Sequence, residues 1–198
     1  MQLRALALAL LASPLALATP ITRDVRQALY TLRLSSSTPS LDGRYLSAAG
    51  SDGTLVGVYD DDKAAAPVRF YVVTNPSTGL SELRAVSDDG GDSTAALALL
   101  GSNDLFDFAS VVDPAEVNVP DGATLDWTSF ELAEGKGEDG DVDGGNEVLY
   151  APPRGSKEGS WVAFPTGGRG EWSVKWKGVE AITTGNYMPV KVLYELIE

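Results

Sequence analysis

The strongest constraint on the fold is a succession of short runs of alternating, β-branched and aromatic residues, interrupted about every ten positions by Gly, Pro, Asn or Asp. This spacing is typical of an all-β sandwich or barrel. In EWSVKWKG, residues 171–178, Trp172, Val174 and Trp176 alternate with polar or charged residues. One face of such a strand packs and the other meets water. We therefore predict an all-β, single-domain antiparallel β-sandwich or barrel with at most one or two short helices.

Two segments fit either a short helix or an extended strand. In TRDVRQAL, residues 22–29, Thr22 is in position to cap a helix, and in STAALALLG, residues 93–101, Ser93 is in position to do the same. No repeat of fixed period is visible, which counts against a propeller or a solenoid but only weakly against a trefoil, whose repeats can be faint. The remaining strands are predicted at 30–34, 44–49, 54–60, 68–75, 80–87, 105–112, 124–132, 147–151, 160–165 and 189–197.

The first eighteen residues have the pattern of a secretory signal peptide. Arg4 precedes the apolar run 5–12, and Ala16-Leu17-Ala18 supplies small residues at the positions that a signal peptidase requires. No later stretch is apolar enough to cross a bilayer, so we expect no membrane insertion. The sequence predicts a single β domain at 19–198 that is secreted and is extracellular or associated with the cell wall.

The chain contains no cysteine and no histidine. Their absence excludes thiol catalysis, the Ser-His-Asp triad, an imidazole general base and an ordinary zinc site. The formal net charge is −13, and a negative surface repels nucleic acid and anionic membranes. We therefore expect no nucleic-acid partner, and no cofactor apart from a possible calcium ion.

That calcium hypothesis rests on an acidic, glycine-rich stretch at 134–147, which we predict to be a flexible loop. Within it, DGDVDGG has the spacing that opens a twelve-residue EF-hand loop, but Tyr150 stands where the closing glutamate is needed and the flanks read as strands. The alternatives are a looser calcium site and a solvated hairpin loop whose carboxylates supply only charge and turn geometry. The candidate calcium ligands are Asp139, Asp141, Asp143 and Glu147.

Two classes of function are compatible with these residues. The first is a non-enzymatic cell-surface or interaction protein, whose partner is a cell-wall glycan or an extracellular protein. The second is a carbohydrate-active protein, because Trp161 and Trp127 offer indole faces for sugar rings and two carboxylates suffice for glycoside hydrolysis. Glu131 and Glu171, both on strands rich in aromatic residues, are the candidate catalytic pair. Trp161, which lies next to Gly-Ser and before Pro165, is the tryptophan that we expect to be exposed.

The order of several motifs resembles a family of small secreted fungal proteins of unknown function. The motifs are LYTLRL at 29–34, GRYLSAAG at 43–50, VRFYVV at 68–73, SWVAFPTGGRGEWSVKW at 160–176 and PVKVLYELI at 189–197. The resemblance implies a fungal, extracellular β protein that is wall-associated or faces a host. It supplies no catalytic residues.

Overall fold

The computed structural model describes residues 27–49, 54–59, 66–86, 94–135, 145–152, 158–167 and 170–197. These ranges contain fourteen β-strands and no helix. The strands are β1 (Leu29–Ser35), β2 (Ser47–Ala49), β3 (Leu55–Val58), β4 (Arg69–Thr74), β5 (Ser81–Ala85), β6 (Ala96–Ser102), β7 (Leu105–Val111), β8 (Thr124–Asp126), β9 (Phe130–Ala133), β10 (Glu147–Tyr150), β11 (Gly159–Pro165), β12 (Trp172–Gly178), β13 (Met188–Pro189) and β14 (Lys191–Ile197). The all-β, single-domain prediction is confirmed.

Six of the strands close into a barrel in the order β1, β4, β5, β9, β10, β14 and back to β1. Every pairing around this ring is antiparallel. The first and last strands are joined along their whole length, from Leu29 opposite Ile197 to Ser35 opposite Lys191. Of the two architectures predicted from the sequence, the structure is therefore the barrel.

Three hairpins cover one end of this barrel, namely β2–β3, β6–β7 and β11–β12. Their second strands pair with one another, β3 with β7, β7 with β12 and β12 with β3. The described strands thus form three consecutive units, β1–β4, β5–β9 and β10–β14, each giving two barrel strands and one hairpin. This connectivity is that of a β-trefoil. Two short strands extend it, since β8 pairs with β6 and β13 with β11.

The predictions for individual segments can be compared with the observed strands. Val174 and Trp176 are buried as the alternation of 171–178 predicted, and Trp172 packs against the core from a partly buried position. The segment 93–101, left open between helix and strand, forms β6 from Ala96 onwards, because it is paired on both sides. Most of the other open segment, 22–29, lies outside the described residues.

Five aromatic side chains form a closed ring at the centre of the core, where the second and third units meet. Going round, Phe108, Trp161, Trp176, Tyr150 and Phe130 each contact the next, with ring centroids 5.1 to 6.2 Å apart. Tilted and edge-on contacts at such distances are favourable beyond the area that they bury. The described core residues of the first unit are mostly aliphatic, with Phe70 and Tyr59 as aromatic members beside Leu32, Leu34, Leu41, Leu46, Val56, Val58 and Val68.

The turn of the β6–β7 hairpin, in the second unit, is hydrogen-bonded to the third unit. Asn103 and Asp104 both have positive φ, 50° and 60°, as a two-residue type I′ hairpin turn requires. The backbone carbonyl of Asp104 accepts a 2.7 Å hydrogen bond from the amide of Gly178, the last residue of β12. This contact fixes the turn against the end of the third hairpin.

The predicted acidic loop, 134–147, is described only at its two ends. Glu147 is the first residue of β10, in agreement with the strand predicted at 147–151. The side-chain oxygen of Asn146 accepts a 3.3 Å hydrogen bond from the backbone amide of Gly135. The backbone carbonyl of Asn146 accepts one of 2.9 Å from the backbone amide of Tyr194. Residues 136–144 lie outside the described part of the chain.

Candidate ligand-binding site

A surface pocket of about 430 Å³ lies where the first and third units meet. We call it the serine–tryptophan pocket. Its polar side chains are Ser35, Ser36, Ser37, Ser160, Glu147 and Lys191, its buried floor is Trp161, Trp176 and Val190, and Leu149, Gly159 and Pro189 complete the walls. An apolar floor with a few convergent polar groups, at this volume, is the usual form of a small-molecule site.

The serine side of the pocket is held in place by the turn that follows β1. The backbone amide of Ser36 donates a 3.0 Å hydrogen bond to Oδ1 of Asp42, and its hydroxyl accepts one of 3.1 Å from the amide of Thr38. The same hydroxyl lies 3.5 Å from the carbonyl oxygen of Pro189 across the pocket. Leu41, completely buried, anchors the turn in the core. The Ser36 side chain therefore occupies a fixed position.

The floor depends on a close approach between Gly159 and Trp176. A Cβ atom built on Gly159 would stand 2.6 Å from three atoms of the Trp176 indole, far inside van der Waals contact. Only glycine lets the start of β11 pass over that ring. A side chain at position 159 would therefore collide with the Trp176 indole that forms part of the pocket floor.

Trp161 lies in the floor, and the prediction that it is the exposed tryptophan is wrong. Its exposed fraction is 2%, because its strand is paired on one side with β12 and on the other with β13, and its side chain points into the core beside Trp176. Its indole N–H donates a 2.6 Å hydrogen bond to the carbonyl of Val148. With its only donor used internally, Trp161 offers the pocket an apolar edge.

One pair of opposite charges stands at the mouth of the pocket. The ammonium of Lys191 lies 3.6 Å from Oε2 of Glu147. The lysine side chain is 62% exposed and the glutamate side chain 25% exposed, so the pair is well solvated. The four serine hydroxyls each donate and accept hydrogen bonds. The pocket therefore suits a neutral, hydroxyl-rich ligand.

The structure does not bring the two candidate catalytic glutamates together. Glu131 is exposed on β9, opposite Leu149 of β10. Glu171 precedes β12 in the turn of the third hairpin, where its carbonyl accepts a 3.1 Å hydrogen bond from the amide of Thr166. The two residues share no strand pairing and line none of the pockets described here. Trp127, partly buried between β8 and β9, lines none of these pockets either.

The calcium hypothesis stays a prediction. Asp139, Asp141 and Asp143 lie outside the described residues, while Glu147 is described and pairs with Lys191. Within the described ranges there is no group of three or more side chains able to hold a metal ion.

The described part of the chain contains no helix with the length and apolar character needed to span a membrane.

A second pocket, of about 830 Å³, occupies the corresponding place between the second and third units. The serine–tryptophan pocket lies between the hairpin of the third unit and the end of β1. The second pocket lies between the hairpin of the second unit and the end of β10. The second is lined by the carboxyl-bearing residues Asp104 and Glu180, by Tyr150 and by Ile182. No described basic side chain lines it, so it is unsuited to an anion.

A third pocket, of about 540 Å³, lies on the flank of the barrel beside a charged network. The phenol of Tyr45 donates a 3.1 Å hydrogen bond to Oε2 of Glu195, and Nε of Arg33 lies 2.6 Å from Oε1 of the same carboxylate. The hydrogen bond to Glu195 and its negative charge raise the pKa of Tyr45. These groups satisfy one another, and the apolar wall beside them is formed by Pro67, Leu196 and Ile197 among others.

Sequence reasoning missed the residues that define the serine–tryptophan pocket other than Trp161 and Glu147. Ser36 and Pro189 are 153 positions apart, and only the pairing of β1 with β14 brings them together. The one usable signal was the alternation of 160–165, which sets Trp161 and Ala163 on one face and Ser160 on the other.

Comparison with known protein families, with curated proteins and with solved structures finds no match.

Proposed function

We propose that this chain is a secreted, non-enzymatic binding protein that holds a sugar unit of an extracellular glycan in the serine–tryptophan pocket. The observation that carries the proposal is the pocket itself, with four serine hydroxyls around an indole-edged floor. The leader pattern of residues 1–18 supports a place outside the cell.

The chemistry of the pocket matches that of a sugar. A pyranose ring has an apolar face of C–H groups and an equatorial belt of hydroxyls, so it needs an aromatic or aliphatic surface together with groups that both donate and accept hydrogen bonds. Leu149 and Pro189, which are more exposed than the tryptophans, supply the surface above the buried floor of the pocket. Ser37 and Ser160, both exposed, supply hydroxyls. The opposite charges of Glu147 and Lys191 leave the mouth close to neutral.

Binding without hydrolysis is the form of the proposal that the geometry favours. Glycoside hydrolysis needs two carboxyl groups facing each other across the scissile bond, about 5 to 10 Å apart. Among the described residues, the serine–tryptophan pocket is lined by a single carboxylate, that of Glu147, which is paired with a lysine.

The direct test is to fill the pocket with a bulky side chain from its exposed rim. Ser160→Trp changes an exposed residue and leaves the floor intact, while Ser77→Trp, at an exposed turn between β4 and β5, is the matched control. Binding to immobilised wall polysaccharides is then compared for the three proteins. We expect wild type and Ser77→Trp to bind one class of glycan and Ser160→Trp to lose that binding. Undiminished binding by Ser160→Trp, or no glycan bound by wild type, would contradict the proposal.

A second candidate function, recognition of an extracellular protein, is favoured by one observation. Between β12 and β13 the side chains of Val179 and Ile182 are 56% and 94% exposed, although Ala181 between them is buried and pins the segment. Apolar side chains held outwards on an anchored segment are common at protein interfaces. Ile182→Ser would abolish capture of such a partner while leaving glycan binding unchanged, which distinguishes the two functions.

A further inference from the structure

Lys177 stands out among the three described lysines because its ammonium has no carboxylate partner in the described structure. The ammonium lies 5.8 Å from the ring centroid of Tyr187 and 3.4 Å from the carbonyl oxygen of Gly178, at the limit of a hydrogen bond. The ammonium groups of the other two are paired, Lys175 at 2.7 Å from Asp107 and Lys191 at 3.6 Å from Glu147. In a chain of net charge −13, a positive group without a carboxylate partner is a distinctive feature.

The aromatic ring beneath this ammonium is itself held in place. The rings of Tyr187 and Phe164 pack at 5.5 Å, and Phe164 is also covered by the ammonium of Lys175 at 5.5 Å. Tyr187 remains 37% exposed. Lys177 and Tyr187 therefore form an ordered surface made of one cation and one aromatic ring.

This pair adjoins the serine–tryptophan pocket on two sides. Lys177 is directly opposite Ser160 in the β11–β12 register, and Ser160 lines the pocket. Directly opposed side chains on one face of an antiparallel pair have Cβ atoms about 5 Å apart. Tyr187 is two residues before Pro189, which lines the same pocket. A ligand that extends beyond the pocket on this side would therefore meet the pair.

The carboxylate of Asp104, on the adjoining β6–β7 hairpin, lies on the other face of the strand. A Cβ atom on Gly178 would meet Cγ of Asp104 at 3.0 Å, which places that side chain on the face towards which residue 178 points. Successive residues of a strand point to opposite faces, so Lys177 points away from Asp104. Asp107, on β7 opposite Lys175, is already paired with that lysine.

We propose that Lys177 and Tyr187 form a subsite for an acidic sugar, so that the preferred glycan carries a uronic acid next to the unit in the pocket. This inference rests on the proposed function and adds the chemical class of the neighbouring sugar. The carboxylate pairs with Lys177 and the apolar face of the sugar ring rests on Tyr187. The strong overall negative charge favours short acidic fragments over long polyanions, because each additional distant carboxylate is repelled.

The experiment titrates the protein with short fragments of pectic galacturonan, alginate and glucuronoxylan, each beside its carboxyl-reduced, neutral counterpart. Titrations are run in about 0.15 M salt, where the Debye length is about 8 Å and local contacts dominate. For at least one of the three, we expect wild type to bind the acidic fragment about two- to fivefold more tightly than the neutral one, the size of an exposed ion pair. Lys177→Gln removes the difference, and Arg84→Gln, which deletes the same charge from β5, keeps it.

The outcomes separate this inference from the function on which it rests. Equal affinity for the acidic and neutral fragments, lost in Ser160→Trp, overturns the acidic subsite and leaves the sugar pocket standing. A preference that persists in Lys177→Gln also overturns the subsite. Failure of wild type to bind any of the six fragments overturns both proposals.

Discussion

The phenol of Tyr150 donates a 3.0 Å hydrogen bond to Oδ2 of Asp126, and both residues are buried, with exposed fractions of 4% and 6%. Oδ1 of the same carboxylate accepts bonds of 2.9 Å from the amide and 3.2 Å from the hydroxyl of Thr128. The pair joins β8 of the second unit to β10 of the third, directly beneath the second pocket. Because leaving a buried carboxylate short of a hydrogen-bond partner is costly, each of these partners contributes to stability.

Replacing Tyr150 by Phe should therefore destabilise the fold by about 1–3 kcal/mol, the usual cost of leaving a buried polar group short of a partner. The remaining bonds from Thr128 keep the loss within this range. The free energy of unfolding, measured by urea titration near pH 7, checks the value. Tyr71→Phe is the control, because this partly exposed tyrosine of β4 makes no side-chain hydrogen bond within the described structure.

The same residue predicts a pH dependence of stability. Burial, and then the negative charge and hydrogen bond of Asp126, raise the pKa of Tyr150 above its ordinary value of 10.0. Above pH 10 the unfolded chain therefore loses this proton while the folded protein keeps it, so the free energy of unfolding falls as pH rises. We expect the fall between about pH 10 and 11 to be smaller in Tyr150→Phe than in wild type. Parallel curves for the two proteins would show that Tyr150 is not responsible.

Gly159→Ala tests the contact that shapes the pocket floor. The added methyl group must displace the Trp176 indole or the β11 backbone, and overpacking of this kind costs about 1–3 kcal/mol. Urea unfolding measures the loss, and the tryptophan emission spectrum reports the moved indole. The neighbouring Ser160→Ala, at an exposed position, should stay within about 0.5 kcal/mol of wild type. Equal stability of both variants would mean that the strand moves aside freely.

The network of Tyr45, Arg33 and Glu195 should contribute little by comparison. The side chains of Arg33 and Glu195 are 31% and 36% exposed, and exposed ion pairs contribute about 0–1 kcal/mol. Glu195→Gln should therefore lower the free energy of unfolding by less than about 1 kcal/mol, with the effect shrinking as salt is added. A loss as large as that of Tyr150→Phe would show that the flank of the barrel is less hydrated than its exposure indicates.

Calcium is tested by a thermal melt with added calcium and with chelator. A ligand that prefers the folded state raises the melting temperature. We expect equal melting temperatures in the two conditions, consistent with the incomplete EF-hand pattern of 138–150. A calcium-dependent rise that disappears when Asp139, Asp141 and Asp143 are all changed to Asn would contradict this and establish the metal site.

The fold class was predictable because strand periodicity is a local property. The alternation of 171–178 assigns Val174 and Trp176 to the core from the sequence alone. The continuous apolar run of 93–101 gave no such answer, since a strand paired on both sides and a buried helix have the same composition. The three-unit arrangement was not visible because its hairpins differ in sequence, as SAA and LVGV of the first do from ALALLGS and LFDFASV of the second.

The site was harder to predict because it depends on contacts between distant residues. The glycine, serine and proline residues near Trp161 indicated that this tryptophan is exposed. The strands on both sides of β11 nevertheless bury Trp161. The pairing of Lys177 with Tyr187 joins a regular strand to a segment with no periodicity, so no pattern in the sequence indicates it.

The full-length pairing of β1 with β14 also governs when the protein can fold. The barrel closes only when a strand near residue 30 meets one near residue 197, so the ring stays open until the final strand has left the ribosome. Contacts of such long sequence separation make folding slow, because the entropy of loop closure is lost before the contacts form. A chain that lacks β14 therefore cannot complete the barrel.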